Sequence, residues 1–137
     1  MDATLPAPPM GALPRWTLVA GRALSGLTVL FLVFDGAIKL AELEVVRETM
    51  EPLGYSASLS RGLGILTLVI ALLYALPRTA LLGAVLLTGL LGGAIATHLR
   101  VGSPVFSHLL FGLYIGLIAW GGLWLRDPRL RALLPLR

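Results

Sequence analysis

The chain has 137 residues, of which 57% are hydrophobic and only 13% charged, and its mean hydropathy is +0.89. A soluble domain averages about a quarter charged residues, so a water-exposed globule is excluded and lipid is the expected solvent. The lack of cysteine excludes disulfides, thiol redox chemistry and thiolate metal sites, and the net charge of +4 sits mostly at the ends of apolar runs, where it reads as a topology signal and headgroup contact rather than as a nucleic-acid surface.

Residues 1–14, "MDATLPAPPMGALP", carry four prolines and little periodicity and read as a flexible tail. The apolar run that follows is too long for a signal peptide and ends in no small-x-small cleavage site. Four apolar segments then cover about 16–40, 57–76, 78–99 and 105–125, each near the ~20 residues a helix needs to cross the hydrocarbon core. Pro77 separates the second from the third and "RVGSP" the third from the fourth, and connections this short make antiparallel neighbours. The long connection, 41–60, places Leu43, Val46 and Met50 at helical spacing among acids and Arg47, then stops at Pro52 and Gly54. That spacing predicts a short amphipathic helix on the membrane surface. The expected fold is therefore an all-α, antiparallel four-transmembrane-helix bundle (15–126), with a short amphipathic helix in its first loop and a basic C-terminal tail at 127–137. No P-loop, other glycine-rich phosphate loop or zinc-protease motif is present.

Orientation follows from the basic residues. Four spans put both termini on one side, with Arg15, Arg22, Arg78, Arg126, Arg129, Arg131 and Arg137. The other side holds Lys39, Arg47, Arg61 and Arg100. This bias favours cytoplasmic termini in a bacterial inner membrane.

In lipid, helices pack through small and a few polar residues. Steps of three and four give one such stripe per span. They are Gly21, Ser25, Thr28, Leu32, Asp35 and Lys39 in the first, and Ser60, Gly64, Thr67, Ala71 and Tyr74 in the second. The third has Thr79, Gly83, Leu86, Gly89, Gly93 and Thr97, and the fourth His108, Gly112, Ile115, Ala119 and Gly122. The GxxxG matches Gly89–Gly93 and Gly112–Gly116 read as packing within the bundle before they read as dimer contacts.

One end of the bundle thereby collects Asp35, Lys39, Arg61, His98, Arg100 and His108. Asp35 and Lys39, one turn apart, read first as a neutralising pair that fixes the depth of the helix. Arg61 and Arg100 read as end-of-helix bases, and Arg22 as a base that snorkels toward the headgroups at the terminus side. His98 and His108 read as hydrogen-bonded interfacial imidazoles. A metal or haem pair there is the weaker alternative, because no third imidazole is at hand.

"LFLVFDGAIKL", "EPLGY", the run from Gly62 to Pro104 and the fourth span together resemble the DoxX-like family of small bacterial membrane proteins, over about residues 20–125. The strongest parts are Gly36, Lys39 and Leu40 ending the first helix, and Gly93, Ala94, Thr97 and His98 ending the third. The resemblance implies a four-helix membrane bundle and little about activity. The family takes its name from a subunit of an archaeal quinone-linked respiratory complex. Many relatives carry a Glu where this chain has Thr67, which removes an intramembrane acid and weakens any proton-transfer role.

The first functional reading is a non-enzymatic accessory subunit or binder of a small lipophilic molecule, with a pocket in the half away from the termini. Asp35, Lys39, His98, Arg100 and His108 would orient a polar headgroup, and Thr28, Thr67, Gly93 and Gly112 would line the apolar part. A quinone, isoprenoid or lipid-like metabolite fits, though the sequence demands no cofactor. The alternative is a membrane-embedded isomerase, cyclase or hydrolase using Asp35, His98 or His108 as acid or base. A channel would need an oligomer. The expected partners are the bilayer, that ligand, and a partner membrane subunit or a second copy of the chain; nucleic acid is not among them.

Overall fold

The computed structural model describes residues 14–134, so the tail expected over 1–14 lies almost wholly outside the described residues. The fold is all-helical. Helix α1 spans Arg15–Leu40, α2 spans Glu44–Met50, α3 spans Ser58–Ala75, α4 spans Ala80–Arg100, α5 spans Phe111–Arg126 and α6 spans Pro128–Leu133. A π-helical turn, Val105–Leu109, leads into α5 and completes an apolar span of Val105–Arg126. The bundle is a closed ring in which α1 packs on α3 and α5, and α4 packs on the same two from the opposite corner.

Only 22–33% of each apolar span is buried within the bundle. Outward faces carry Trp16, Leu30, Phe34 and Leu117, all more than half exposed. No soluble protein leaves such faces to water on all four helices, so the four spans form an integral membrane bundle.

Small residues set how closely the helices approach. On α1 the buried face is Thr17, Gly21, Ser25, Thr28, Leu32 and Gly36. Opposite it, α3 buries Ser60, Gly64, Thr67, Ile70, Ala71 and Tyr74. A Cβ on Gly64 would lie 2.7 Å from the Leu40 nitrogen and 2.8 Å from the Gly36 oxygen, so α1 and α3 touch backbone to backbone there. The same holds for α1 and α5, where a Cβ on Gly122 would meet the Ser25 nitrogen at 2.9 Å. Between α3 and α4, Gly83 lies directly against the Tyr74 backbone. The core filled by these approaches is Leu32, Ile70, Tyr74, Leu87 and Leu123, with Ala71, Ala84 and Ala119 between them.

Three faces differ from the expected stripes, the fourth span's in that its first member, His108, is exposed on the π-helical turn and the buried face begins at Gly112. The α1 stripe turns at Gly36, one position past Asp35, which puts Asp35 and Lys39 at its edge. On α4 the buried residues are Ala80, Gly83, Ala84 and Leu87, while Leu86, Gly89 and Gly93 face outward. Glycines occur on both sides of α4, so smallness alone does not mark its inner face. Leu87 supplies the volume the ring needs at its centre.

The first loop is held to the bundle. Val46 and Met50 of α2 are buried, Leu43 is exposed, and Gly54 closes the following 3₁₀ turn in the left-handed region at φ 81°. After α5, Asp127 caps α6 by accepting from the Arg129 nitrogen. Leu130 is buried, and the Arg131 guanidinium donates to the Trp124 and Leu125 carbonyls while lying 4.7 Å from the Trp124 ring. The first basic residues past α5, expected as a tail, thus fold back on it and satisfy its last carbonyls.

Candidate functional site

The end of the bundle away from the termini holds most of the sequence-predicted site residues, and there they are bonded mainly to their own neighbours. Lys39 Nζ donates to Asp35 Oδ2 at 2.5 Å. The Lys39 carbonyl accepts from Ser60 Oγ at 2.8 Å, tying α1 to the start of α3. His98 and His108 meet edge to face at 5.8 Å between ring centres. Each imidazole uses Nδ1 on a nearby serine, His98 on Ser103 and His108 on Ser107. Among the described residues no cluster of three His, Asp or Glu is placed to hold a metal ion, and no hydrogen bond or ion pair joins either imidazole to Asp35 or Lys39.

The other candidates are equally engaged. Arg100 donates to the Leu53 carbonyl at 2.9 Å and Tyr55 meets the Thr97 hydroxyl at 2.8 Å, so both pin the first loop to α4. Thr28 and Thr67 are buried and donate to Leu24 and Leu63, one turn back on their own helices. Ile95 lies 3.0 Å from where a Cβ on Gly112 would stand, and a Cβ on Gly93 would meet nothing within 4 Å. The recess at this end, about 110 Å³, lies in the first loop against Glu42, Arg47 and Ser60.

A larger open volume, about 470 Å³, lies at the terminus side. Gly26, Val29, Leu30, Val33 and Ala75 line its apolar length, and Arg22, Ser25, Tyr74 and Arg126 its polar end. Neither recess is lined by Asp35, Lys39, Thr67, His98 or His108.

Sequence dictates how that polar end is assembled. A Cβ on Gly21 would meet the Arg126 nitrogen and Cβ at 2.9 Å, so α1 runs directly over the end of α5. This brings Arg126 Nε within 2.9 Å of Ser25 Oγ. Ser25 Oγ lies 3.2 Å from the Tyr74 hydroxyl, which donates to the Ala119 carbonyl at 2.6 Å. A carbonyl can only accept, so Tyr74 spends its proton there. Ser25 therefore donates to Tyr74 and accepts from Arg126. The chain Arg126–Ser25–Tyr74–Ala119 runs one way and joins α1, α3 and α5. Tyr74 has no exposed surface, and Arg126 also lies 5.6 Å from its ring and 3.4 Å from its carbonyl.

Ser25 and Tyr74 stand on the expected stripes, whereas Arg126 belongs in the sequence to the basic residues at the terminus side. The signal that finds it is the α5 stripe itself. Ile115, Ala119 and Gly122 advance to Arg126 by one more step of four.

The model of the DoxX-like family matches residues 23–122, which covers the second and third apolar helices whole and most of the first and fourth. The chain belongs to the DoxX-like family. No curated protein and no solved structure matches it. Family and fold together make this DoxX-like chain a multi-pass membrane protein. Ser25 and Tyr74 lie within the matched stretch, and Arg22 and Arg126 lie just outside its two ends.

Proposed function

We propose that this DoxX-like protein binds a small lipophilic molecule in the terminus-side groove, in the bacterial inner membrane with both termini cytoplasmic, and serves as an accessory subunit. The observation that carries this reading is one groove with an apolar wall along α1 and a polar end built by three helices. Apolar walls with a few convergent polar groups are the usual form of a small-molecule site. From Arg22 to Val33 the wall advances eleven residues, or ~16 Å at ~1.5 Å per residue, enough for an acyl or isoprenoid segment.

Gly26 gives the test. It lines the groove, and a Cβ there meets nothing within 4 Å. Gly26→Leu should therefore occupy the groove without straining the bundle, and it replaces a poor helix former by a good one. Native mass spectrometry of the chain released from its own membrane should show a bound lipophile on the parent protein and its loss from the variant, with the thermal midpoint equal or raised. Equal retention by both would reject the groove as the site.

A further inference from the structure

We infer that the occupant of the groove is an anionic glycerophospholipid of the terminus-side leaflet, with its phosphate between Arg22 and Arg126 and a chain along α1. This rests on the reading of the groove as a lipophile site and names the chemistry of its headgroup.

Two guanidiniums line the polar end. Among the described residues no carboxylate pairs with either, since the three ion pairs are Asp35–Lys39, Glu44–Arg47 and Glu42–Arg61. Arg126 uses Nε on Ser25 and one terminal nitrogen on the Tyr74 carbonyl, and its other terminal nitrogen has no partner among the described residues. The Arg22 guanidinium has no partner among the described residues for any of its donors. A guanidinium presents planar, paired N–H groups that match phosphate oxygens. Two like charges at the mouth of one low-dielectric trough repel unless an anion lies between them. A neutral headgroup leaves that repulsion standing, and a zwitterionic one brings a further cation toward it.

Depth agrees with this assignment. Helix α1 has 26 residues, ~39 Å against a hydrocarbon core of about 30 Å. Centred in the core, it projects roughly 4–5 Å at each end. Arg22, seven residues in, then lies about 6 Å below the hydrocarbon boundary, and its side chain spans that distance to bring the guanidinium to the boundary, on the phosphate side of the acyl chains. The wall below it, Gly26 to Val33, lies at acyl-chain depth.

The experiment uses the full chain in a neutral maltoside detergent, delipidated and then titrated separately with short-chain phosphatidylglycerol, the diacylglycerol of the same chains, and inorganic phosphate. Binding is followed by native mass spectrometry and thermal shift. Phosphatidylglycerol should bind at least about tenfold more tightly than diacylglycerol, and inorganic phosphate should not shift the midpoint. Arg22→Gln, at an exposed position, should weaken phosphatidylglycerol about tenfold, the scale of one charge-assisted contact, and it should not lower the lipid-free midpoint, because it relieves the repulsion between the two guanidiniums. Arg129→Gln, on the exposed face of α6, should change nothing. Equal binding of the two lipids would overturn the anionic class and leave the lipophile reading intact. Equal weakening by the two variants would overturn the groove in favour of general surface charge, and phosphate binding as tightly as the lipid would overturn a lipid source. Binding of neither lipid would overturn the glycerophospholipid, whereas the lipophile reading falls only if Gly26→Leu and the parent protein retain the same bound lipophile from their own membrane.

Discussion

Asp35 and Lys39 each keep 26% of their side-chain surface exposed, which bounds what their contact contributes. Exposed pairs at this spacing stabilise by ~0.3–0.5 kcal/mol, and breaking a fully buried pair costs ~3–5 kcal/mol. A pair at the edge of a helix interface, within the last two turns of α1, falls between them. Lys39→Met alone should destabilise by about 1–2 kcal/mol by stranding a half-buried carboxylate. Adding Asp35→Leu should recover most of the loss. The check is a double-mutant cycle read by reversible unfolding in mixed micelles, and a coupling near zero would show that the two act independently. This pair was legible in the sequence, because four residues on one helix fix the geometry whatever surrounds it. The α5 stripe extends to Arg126 in the sequence, but its bonds to Ser25 and Tyr74 were not legible there, because they depend on α1 passing over the end of α5. That approach comes from Gly21 and Gly122, residues distant in sequence whose effect appears only when the helices meet.

Among the helices, glycine has two roles that sequence spacing alone separates poorly. At Gly64 the neighbouring backbone fills the space a methyl would need, whereas at Gly93 a methyl would meet nothing within 4 Å. Gly64→Ala should therefore push α3 from α1 and destabilise the bundle by ~1–3 kcal/mol. Gly93→Ala should be neutral or stabilising, by up to ~1 kcal/mol of helix propensity. Comparing the two substitutions by thermal unfolding in detergent isolates packing from propensity, since each adds the same methyl to a helix interior. Equal effects would contradict the assignment of inner and outer faces. The stripes on α1, α3 and α5 could be read from the sequence because each has one small face and bulky residues opposite. The face of α4 could not, because Gly83, Gly89, Gly92 and Gly93 surround the helix and Leu87, its deepest large residue, looks like any lipid-facing leucine. The two recesses described at the ends of the bundle are lined by residues other than those of the expected pocket. Outward glycines open no volume inside the ring, and inside it Ile95 closes the space over Gly112.

At the scale of the whole molecule, four spans place both termini opposite the first loop, and the distribution of Arg decides which side that is. Arg126 and Arg131 are engaged in internal hydrogen bonds and Arg22 lines the groove. Those roles do not remove their charges from topology selection, because the positive-inside rule acts on the nascent segment before the helices pack, through Lys and Arg close to the span ends. Seven bases at the terminus side against four at the other then favour cytoplasmic termini. A fluorescent-protein fusion after Arg137 should glow, and alkaline phosphatase inserted within residues 52–56 should be active outside the cytoplasm. The reverse pair of results would keep the fold and the groove but move the phosphate site to the outer leaflet. Both reporters on one side would contradict four spans and, with them, the packing of α1 over the end of α5. Replacing Arg129 and Arg131 by Gln probes the cause. If charge sets orientation, the double variant should yield a mixed population, because it lowers the terminus-side excess while Arg22 and Arg126, and hence the groove, stay in place.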